Sequence, residues 1–198
     1  MKRFFDTVVS FWALILLSPF MIVIICLIKV NSPGPVFFCQ RRIGVGDKEF
    51  LMYKFRTMRV GTPNVATDKL SSPEQYVTKI GYFLRKYSLD ELPQLVNILL
   101  GDMAIVGPRP ALYNQYELRA MRKVAGISTI RPGLTGWAQI NGRDDIILEE
   151  KVALDLEYLQ RHSWWLDLTI IFRTAFSVYS GDGVAKTGQA SEVKKFGA

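Results

Sequence analysis

The chain has 198 residues, 25 Lys and Arg against 18 Asp and Glu, a formal net charge of +7 and a single histidine. Hydrophobic residues make up 49% and mean hydropathy is +0.14, so disorder is excluded and there is ample apolar material for a core. Two cysteines rule out a disulfide scaffold, and one dense apolar stretch rules out a multi-pass membrane protein; the basic balance admits nucleic acid, a membrane surface or a phosphorylated substrate.

No charge occurs from Val8 to Ile28. As a helix this run would be about 31 Å long, close to the hydrocarbon thickness of a bilayer. It is too long for a cleaved leader, and Asn31-Ser32-Pro33-Gly34-Pro35 after it is a turn-rich joint, not a small-residue cleavage site. Ser18-Pro19 lies in its middle, where proline removes a helix hydrogen bond and predicts a kink or break; the Ser18 hydroxyl is placed to satisfy the freed carbonyl. Lys2 and Arg3 precede the run, and Lys29, Arg41 and Arg42 follow it. Basic flanks favour the cytoplasm, so these favour neither orientation of a crossing helix. A helix that enters, bends at Ser18-Pro19 and returns satisfies both flanks, and a single-pass anchor with a tolerated proline is the alternative.

Beyond the joint, residues 36–40 and 49–55 read as two strands, with Gly44 and Gly46 between them as a hairpin turn. Residues 61–73 read as a surface loop. Short helices are predicted over 80–85 and 89–100, the latter ended by Gly101, and a further helix over 111–122. Gly107-Pro108-Arg109-Pro110 is a rigid extended piece, and residues 131–136 form a loop. Helices follow over 146–159 and over 163–178. The last is opened by Trp164 and Trp165 and suits a headgroup interface. The expected fold is mostly α with a small β-hairpin.

The chemistry is narrowed by what is missing. One histidine, His162, excludes a multi-histidine zinc site and argues against a serine–histidine hydrolase. No dinucleotide or phosphate-loop fingerprint occurs, and the dispersed basic residues match no nucleic-acid motif. What stands out is Asp90-Glu91 inside Ser88-Leu89-Asp90-Glu91-Leu92-Pro93. Ser88 and Glu91 have capping-box spacing, and a helix N-terminus favours ionised carboxylates. An ionised aspartate can act as a nucleophile or hold a hard divalent cation. By itself the pair reads as a plain helix start, where acidic residues are routine. Arg56, Arg85, Arg109, Arg131 and Arg143 each adjoin a turn, a proline or an element end, the rigid settings from which guanidinium groups converge on a diphosphate.

The order of motifs resembles the bacterial sugar transferase family, the monotopic polyprenyl-phosphate phosphoglycosyl transferases. The resemblance is carried by Ser18-Pro19, Gln40-Arg41-Arg42-Ile43-Gly44, Tyr53-Lys54-Phe55-Arg56-Thr57-Met58, the Ser88–Leu95 segment, residues 101–110, Arg131-Pro132-Gly133-Leu134-Thr135-Gly136 and Asn141-Gly142-Arg143, over nearly the whole chain. It implies a re-entrant membrane helix over 1–30 broken at Ser18-Pro19, a cytosolic-face catalytic domain over 31–198 with interfacial amphipathic helices, and residence at the cytoplasmic face of a bacterial inner membrane. It implies transfer of a sugar-1-phosphate from a UDP-sugar to undecaprenyl phosphate with release of UMP, assisted by Mg2+. Asp90 takes the place of the nucleophile that forms a covalent phosphosugar intermediate, and Glu91 that of its partner in metal binding or proton transfer. Lys54, Arg85 and Arg109 match basic positions near the phosphates, with Arg56, Arg131, Thr135, Asn141 and Arg143 as further substrate-binding candidates. The tail 183–190 is similar to members that transfer phospho-bacillosamine, which points to an N-acetylated amino sugar. Membrane lipid is an expected partner, nucleic acid is not, and a homo-oligomer is compatible with the resemblance. Two other readings stay open at this point, a non-catalytic membrane-surface adaptor and a lipid-phosphate hydrolase.

Overall fold

A computed structural model describes residues 1–62, 75–142 and 146–180. In chain order these form α1 (Lys2–Asn31), β1 (Phe37–Ile43), β2 (Glu49–Phe55), α2 (Lys79–Lys86), α3 (Gln94–Leu100), β3 (Ala104–Val106), α4 (Tyr116–Val124), β4 (Gly133–Thr135), α5 (Trp137–Asn141), α6 (Leu148–Arg161) and α7 (Trp164–Tyr179). The loop expected over 61–73 falls mostly outside the described residues, as do Arg143 and the tail 183–190.

The helix α1 runs unbroken for 30 residues, with Pro19 inside it. Proline at 19 leaves the Ile15 carbonyl without its i+4 donor. The Ser18 hydroxyl donates to that carbonyl at 2.8 Å, so the ladder is repaired where a break was expected. The helix is long and apolar enough to cross a membrane. It nonetheless lies along the protein from end to end. Lys2 pairs with Asp167 of α7, and Arg3 donates to the Leu99 carbonyl at 2.8 Å and also to that of Ile98, satisfying the last carbonyls of α3. Ala13, Leu14 and Leu17 pack on Met52, Leu95, Ile98 and Met103, while Ile24 and Ile28 share a core with Phe55 and Leu84. The other face is apolar and exposed, with Phe4, Trp12, Leu16 and Ile22 among its residues. On α7 the same division holds: Asp167 and Ile170 are buried, whereas Trp165, Phe172, Phe176 and Tyr179 are exposed. The two helices meet where the Phe5 ring meets the Trp164 ring edge to face at 5.3 Å.

The expected hairpin is present. The strands β1 and β2 pair antiparallel from Phe37↔Phe55 to Ile43↔Glu49. Its turn puts Asp47 at φ 64°, where Arg119 of α4 holds the carboxylate with two hydrogen bonds of 2.9 and 3.2 Å. Beyond the hairpin, β2 bonds to a side chain. Buried Asn97 of α3 accepts from the Tyr53 N–H at 3.0 Å and donates to the Leu51 carbonyl at 2.7 Å. Asn97 thus docks β2 on α3. Asn97→Leu keeps the branching of the side chain, with larger methyl groups in place of the amide, but leaves both backbone groups unpaired. It is expected to cost about 2–6 kcal/mol, at roughly 1–3 kcal/mol for each of the two unsatisfied groups. Thermal unfolding in detergent checks this, and an unchanged midpoint would refute the docking role.

The helix expected over 111–122 starts later, at Tyr116. Ala111 and Leu112 are drawn instead onto β1, through an Ile43 N–H to Ala111 carbonyl bond of 3.0 Å and the Arg42↔Leu112 bridge. A second sheet was not expected at all. The short strands β3 and β4 pair in parallel, Ala104↔Gly133 and Val106↔Thr135. Each is too short to show an alternating pattern.

Candidate active site

Asp90 and Glu91 lie in a single 3-10 turn, Leu89–Glu91, that leads into α3. The capping box is not formed: Ser88 takes a left-handed conformation at φ 51° and its side chain caps nothing. Pro93, expected inside the first turn, is the N-cap of α3. The left-handed Ser88 turns the chain from α2 into the dyad, where Lys54 of β2 reaches Glu91.

The two carboxylates have different surroundings. Glu91 is pinned: Lys54 of β2 donates to its Oε1 at 2.6 Å and Arg109 to the same oxygen at 3.2 Å. Burial by itself would raise the Glu91 pKa, but the two cations outweigh it and hold the group at about 2. Asp90 is only 8% exposed, and among the described residues none donates a hydrogen bond to it. Burial dominates here and raises its pKa, with Lys54 opposing, Glu91 adding, and Arg85 and Arg109 opposing. Arg85, in the last turn of α2, is oriented by a 2.9 Å bond from Nε to the Thr57 hydroxyl; burial lowers its pKa and Asp90 partly restores it. Five charged groups thus converge from β2, α2, the 3-10 turn and the segment after β3. A desolvated carboxylate with uncommitted lone pairs is a stronger nucleophile than one already hydrogen-bonded. Lysine and arginine side chains such as those around it are the groups that bind phosphate oxygens through charge-assisted hydrogen bonds.

The remaining sequence candidates lie elsewhere. Arg56 is buried and clasps the joint after α1, donating to the Pro33 and Ser32 carbonyls at 2.8 Å each and to the Ser32 hydroxyl at 2.7 Å. Glycine is required at 34, whose φ of 113° is one that residues with a Cβ rarely adopt. Arg131 donates from Nε to the Gly101 carbonyl at 2.9 Å. The Thr135 hydroxyl meets that of Thr174 at 2.6 Å, tying β4 to α7. Asn141 bonds the Trp137 carbonyl at 2.9 Å and receives Arg173 at 3.4 Å. His162 faces Tyr158 and Asp167. Sequence reasoning assigned nothing to Thr57 or Asn97. The signal for Asn97 was an amide among the leucines on the apolar side of its helix.

Among the described residues no three His, Cys, Asp or Glu side chains form a metal cage. The donor set does fit a hard divalent cation of the magnesium type. Such an ion takes one or two carboxylates and completes its shell with substrate phosphate oxygens and water. Asp90 and the Glu91 oxygen not held by Lys54 and Arg109 would supply those carboxylates.

The family described as bacterial sugar transferase matches residues 1–181. The UDP-glucose:undecaprenyl-phosphate glucose-1-phosphate transferase of Xanthomonas campestris pv. campestris is 42% identical over 185 residues, 89% of this chain and 38% of that relative. The uncharacterized sugar transferase EpsL of Bacillus subtilis (strain 168) is 39% identical over 194 residues, 96% of this chain and 93% of that relative. A UDP-N-acetylgalactosamine-undecaprenyl-phosphate N-acetylgalactosaminephosphotransferase of Aeromonas hydrophila is 36% identical over 190 residues, 92% of this chain and 44% of that relative. The chain therefore spans less than half of the first and third of these relatives and most of the second.

Proposed function

Because the chain belongs to the bacterial sugar transferase family, we propose that it transfers a sugar-1-phosphate from a UDP-sugar to undecaprenyl phosphate, through a covalent intermediate on Asp90. The gathering of Lys54, Arg85 and Arg109 about the dyad, with Lys54 and Arg109 bonded to Glu91 and none of the three bonded to the buried Asp90, carries this reading. A membrane-surface adaptor has no use for a desolvated carboxylate of that kind.

In the first step an Asp90 oxygen attacks the β-phosphorus of the donor. The bond from that phosphorus to the bridging oxygen breaks, and UMP leaves with the electron pair. Lys54, Arg85 and Arg109 neutralise the diphosphate and the departing phosphate. Glu91 stays ionised and keeps Lys54 and Arg109 aimed at the phosphates. In the second step an oxygen of the lipid phosphate attacks the same phosphorus and the Asp90 carboxylate is released. Neither step requires a histidine base. Bound Mg2+, held by Asp90 and Glu91, would supply further charge neutralisation. Two of the relatives named above are described as acting on UDP-glucose and UDP-N-acetylgalactosamine, so the sugar is assigned only as a UDP-hexose or UDP-N-acetylhexosamine. UMP release and lipid-linked product, measured across a panel of UDP-sugars with undecaprenyl phosphate, test the reading. Release of free sugar phosphate without lipid product would replace transfer by hydrolysis.

In this reading the site lies at the cytoplasmic face of the inner membrane, where the nucleotide sugar and the lipid acceptor meet. Both ends of α1 are fastened to one globular body, Lys2 to Asp167 and Ile28 against Leu84. This supports a helix held against one face of the membrane, with both of its ends on the same side. With Cys26 and Cys39 replaced by serine, a cysteine added before Met1 should resist an impermeant maleimide until cells are opened. Labelling of intact cells would mean that α1 crosses the bilayer.

A further inference from the structure

Arg109 reaches Glu91 from a segment that is neither helix nor strand. Three consecutive carbonyls of that segment are each met by a donor from elsewhere. Arg122 of α4 donates from Nη1 to the Arg109 carbonyl at 2.8 Å, Arg42 of β1 donates from Nη1 to that of Pro110 at 2.8 Å, and the Ile43 N–H donates to that of Ala111 at 3.0 Å. Arg42 is braced in turn by Gln40 Oε1, at 3.0 and 2.6 Å from its Nε and Nη2. Arg122 is braced by Asp155 of α6, whose Oδ2 accepts from Nε at 3.0 Å and from Nη2 at 2.6 Å. Both partners of that ion pair are buried.

A buried ion pair is a poor way to join two helices, because apolar side chains of similar volume hold them as well or better. An apolar pair has no N–H to give to the Arg109 carbonyl. Lysine would not serve either, since an ammonium is a point donor and lacks the planar fork that addresses Asp155 and the carbonyl together. We propose that the Arg122–Asp155 pair is a positioning device for Arg109: Asp155 orients the Arg122 guanidinium, Arg122 holds the Arg109 main chain, and the Arg109 side chain is thereby delivered to Glu91 and the donor diphosphate. Neither residue touches substrate. The inference rests on the proposed sugar-phosphate transfer and adds to it the means by which one of the phosphate-binding cations is held.

The test is a double-mutant cycle on the full chain in detergent with undecaprenyl phosphate. The donor is whichever of UDP-glucose, UDP-N-acetylglucosamine and UDP-N-acetylgalactosamine the unmodified protein turns over. Asp155→Asn and Arg122→Lys should each lower kcat roughly 10- to 100-fold, the scale of a small misplacement of a positioning group, with donor KM changed less than about threefold. In an Arg109→Ala background the same substitutions should cost less than about twofold more, because the group they position is gone. Thermal midpoints identify any variant that fails to fold, and Arg122→Lys, which keeps the charge, carries the cycle if Asp155→Asn does so. Losses that multiply in the Arg109→Ala background, or an effect confined to KM, overturn the positioning role. Absence of UMP release from the unmodified protein with these donors and with every other UDP-hexose and UDP-N-acetylhexosamine of the panel overturns the proposed function and this inference with it.

Discussion

Asp90→Asn is expected to lower UMP release by at least about 10³-fold, as loss of a covalent nucleophile does, and at the same time to raise the thermal midpoint. The carboxamide is nearly isosteric but cannot form the phosphosugar ester. Intact mass after incubation with donor alone should therefore show an adduct on the unmodified protein and none on the variant. The stability gain follows from the site's electrostatics. Burial raises the folded-state pKa of Asp90 above its ordinary value of 3.8, so the folded protein holds that proton more tightly than the unfolded chain does. Its ionisation therefore destabilises the fold, progressively as pH rises from 3.8 through the folded-state value. The amide removes this cost at neutral pH and leaves stability at pH below 3.8 unchanged. The midpoint should move by about 2–4 °C for each kcal/mol relieved. Glu91 has the opposite sign. Held at about 2, it contributes stability above 4.5 that is lost as pH falls toward 2. Normal turnover by Asp90→Asn would remove Asp90 from the role of nucleophile. A fall in its midpoint at neutral pH would show that the surrounding cations, not burial, govern Asp90.

Gly133→Ala is expected to lower stability by about 3 kcal/mol or more and activity by more than about tenfold. A Cβ on Gly133 would stand 2.1 Å from the Gly107 nitrogen and 2.7 Å from its Cα, and backbone atoms cannot rotate away. Relief requires β3 and β4 to separate, which strains the Gly107 N–H to Thr135 bond of 2.9 Å and the Gly133 N–H to Pro108 bond of 2.9 Å. Overpacking of this kind costs about 1–3 kcal/mol, and each weakened hydrogen bond adds about 1. Gly107 and Pro108 lead directly into Arg109, so the same displacement withdraws that guanidinium from Glu91. Denaturation midpoint and UMP release together check the prediction. Unimpaired values for both would mean that the parallel pair does not position the site. Gly136, whose Cβ would fall 2.2 Å from the Gly107 carbonyl oxygen, belongs to the same close approach.

The sequence alone determined whatever is written locally. The apolar run of α1, its basic flanks, the hairpin, the tryptophan-led α7 and the acidic dyad are all properties of neighbouring residues. So is the Ser18 hydroxyl beside Pro19, which meets the Ile15 carbonyl as its spacing allows. These features depend on periodicity, turn chemistry and charge within one or two turns of chain. Tertiary structure decided the rest. Turn settings alone read Arg56, Arg85 and Arg109 alike, and the resemblance put Arg85 and Arg109 first; only the fold brings these two beside the dyad and sets Arg56 to hold the joint after α1. It also replaced a capping box by a left-handed Ser88, ended the early part of the expected 111–122 helix by pairing Ala111 and Leu112 with β1, and built β3 and β4 from segments of three residues. These outcomes depend on which distant backbone groups need partners, and on where a missing Cβ lets two chains touch, quantities that exist only once the chain is packed. Asn97 could be read as unusual from the leucines around it, but that it would complete the edge of a strand more than 40 positions earlier in the chain was decided by the fold.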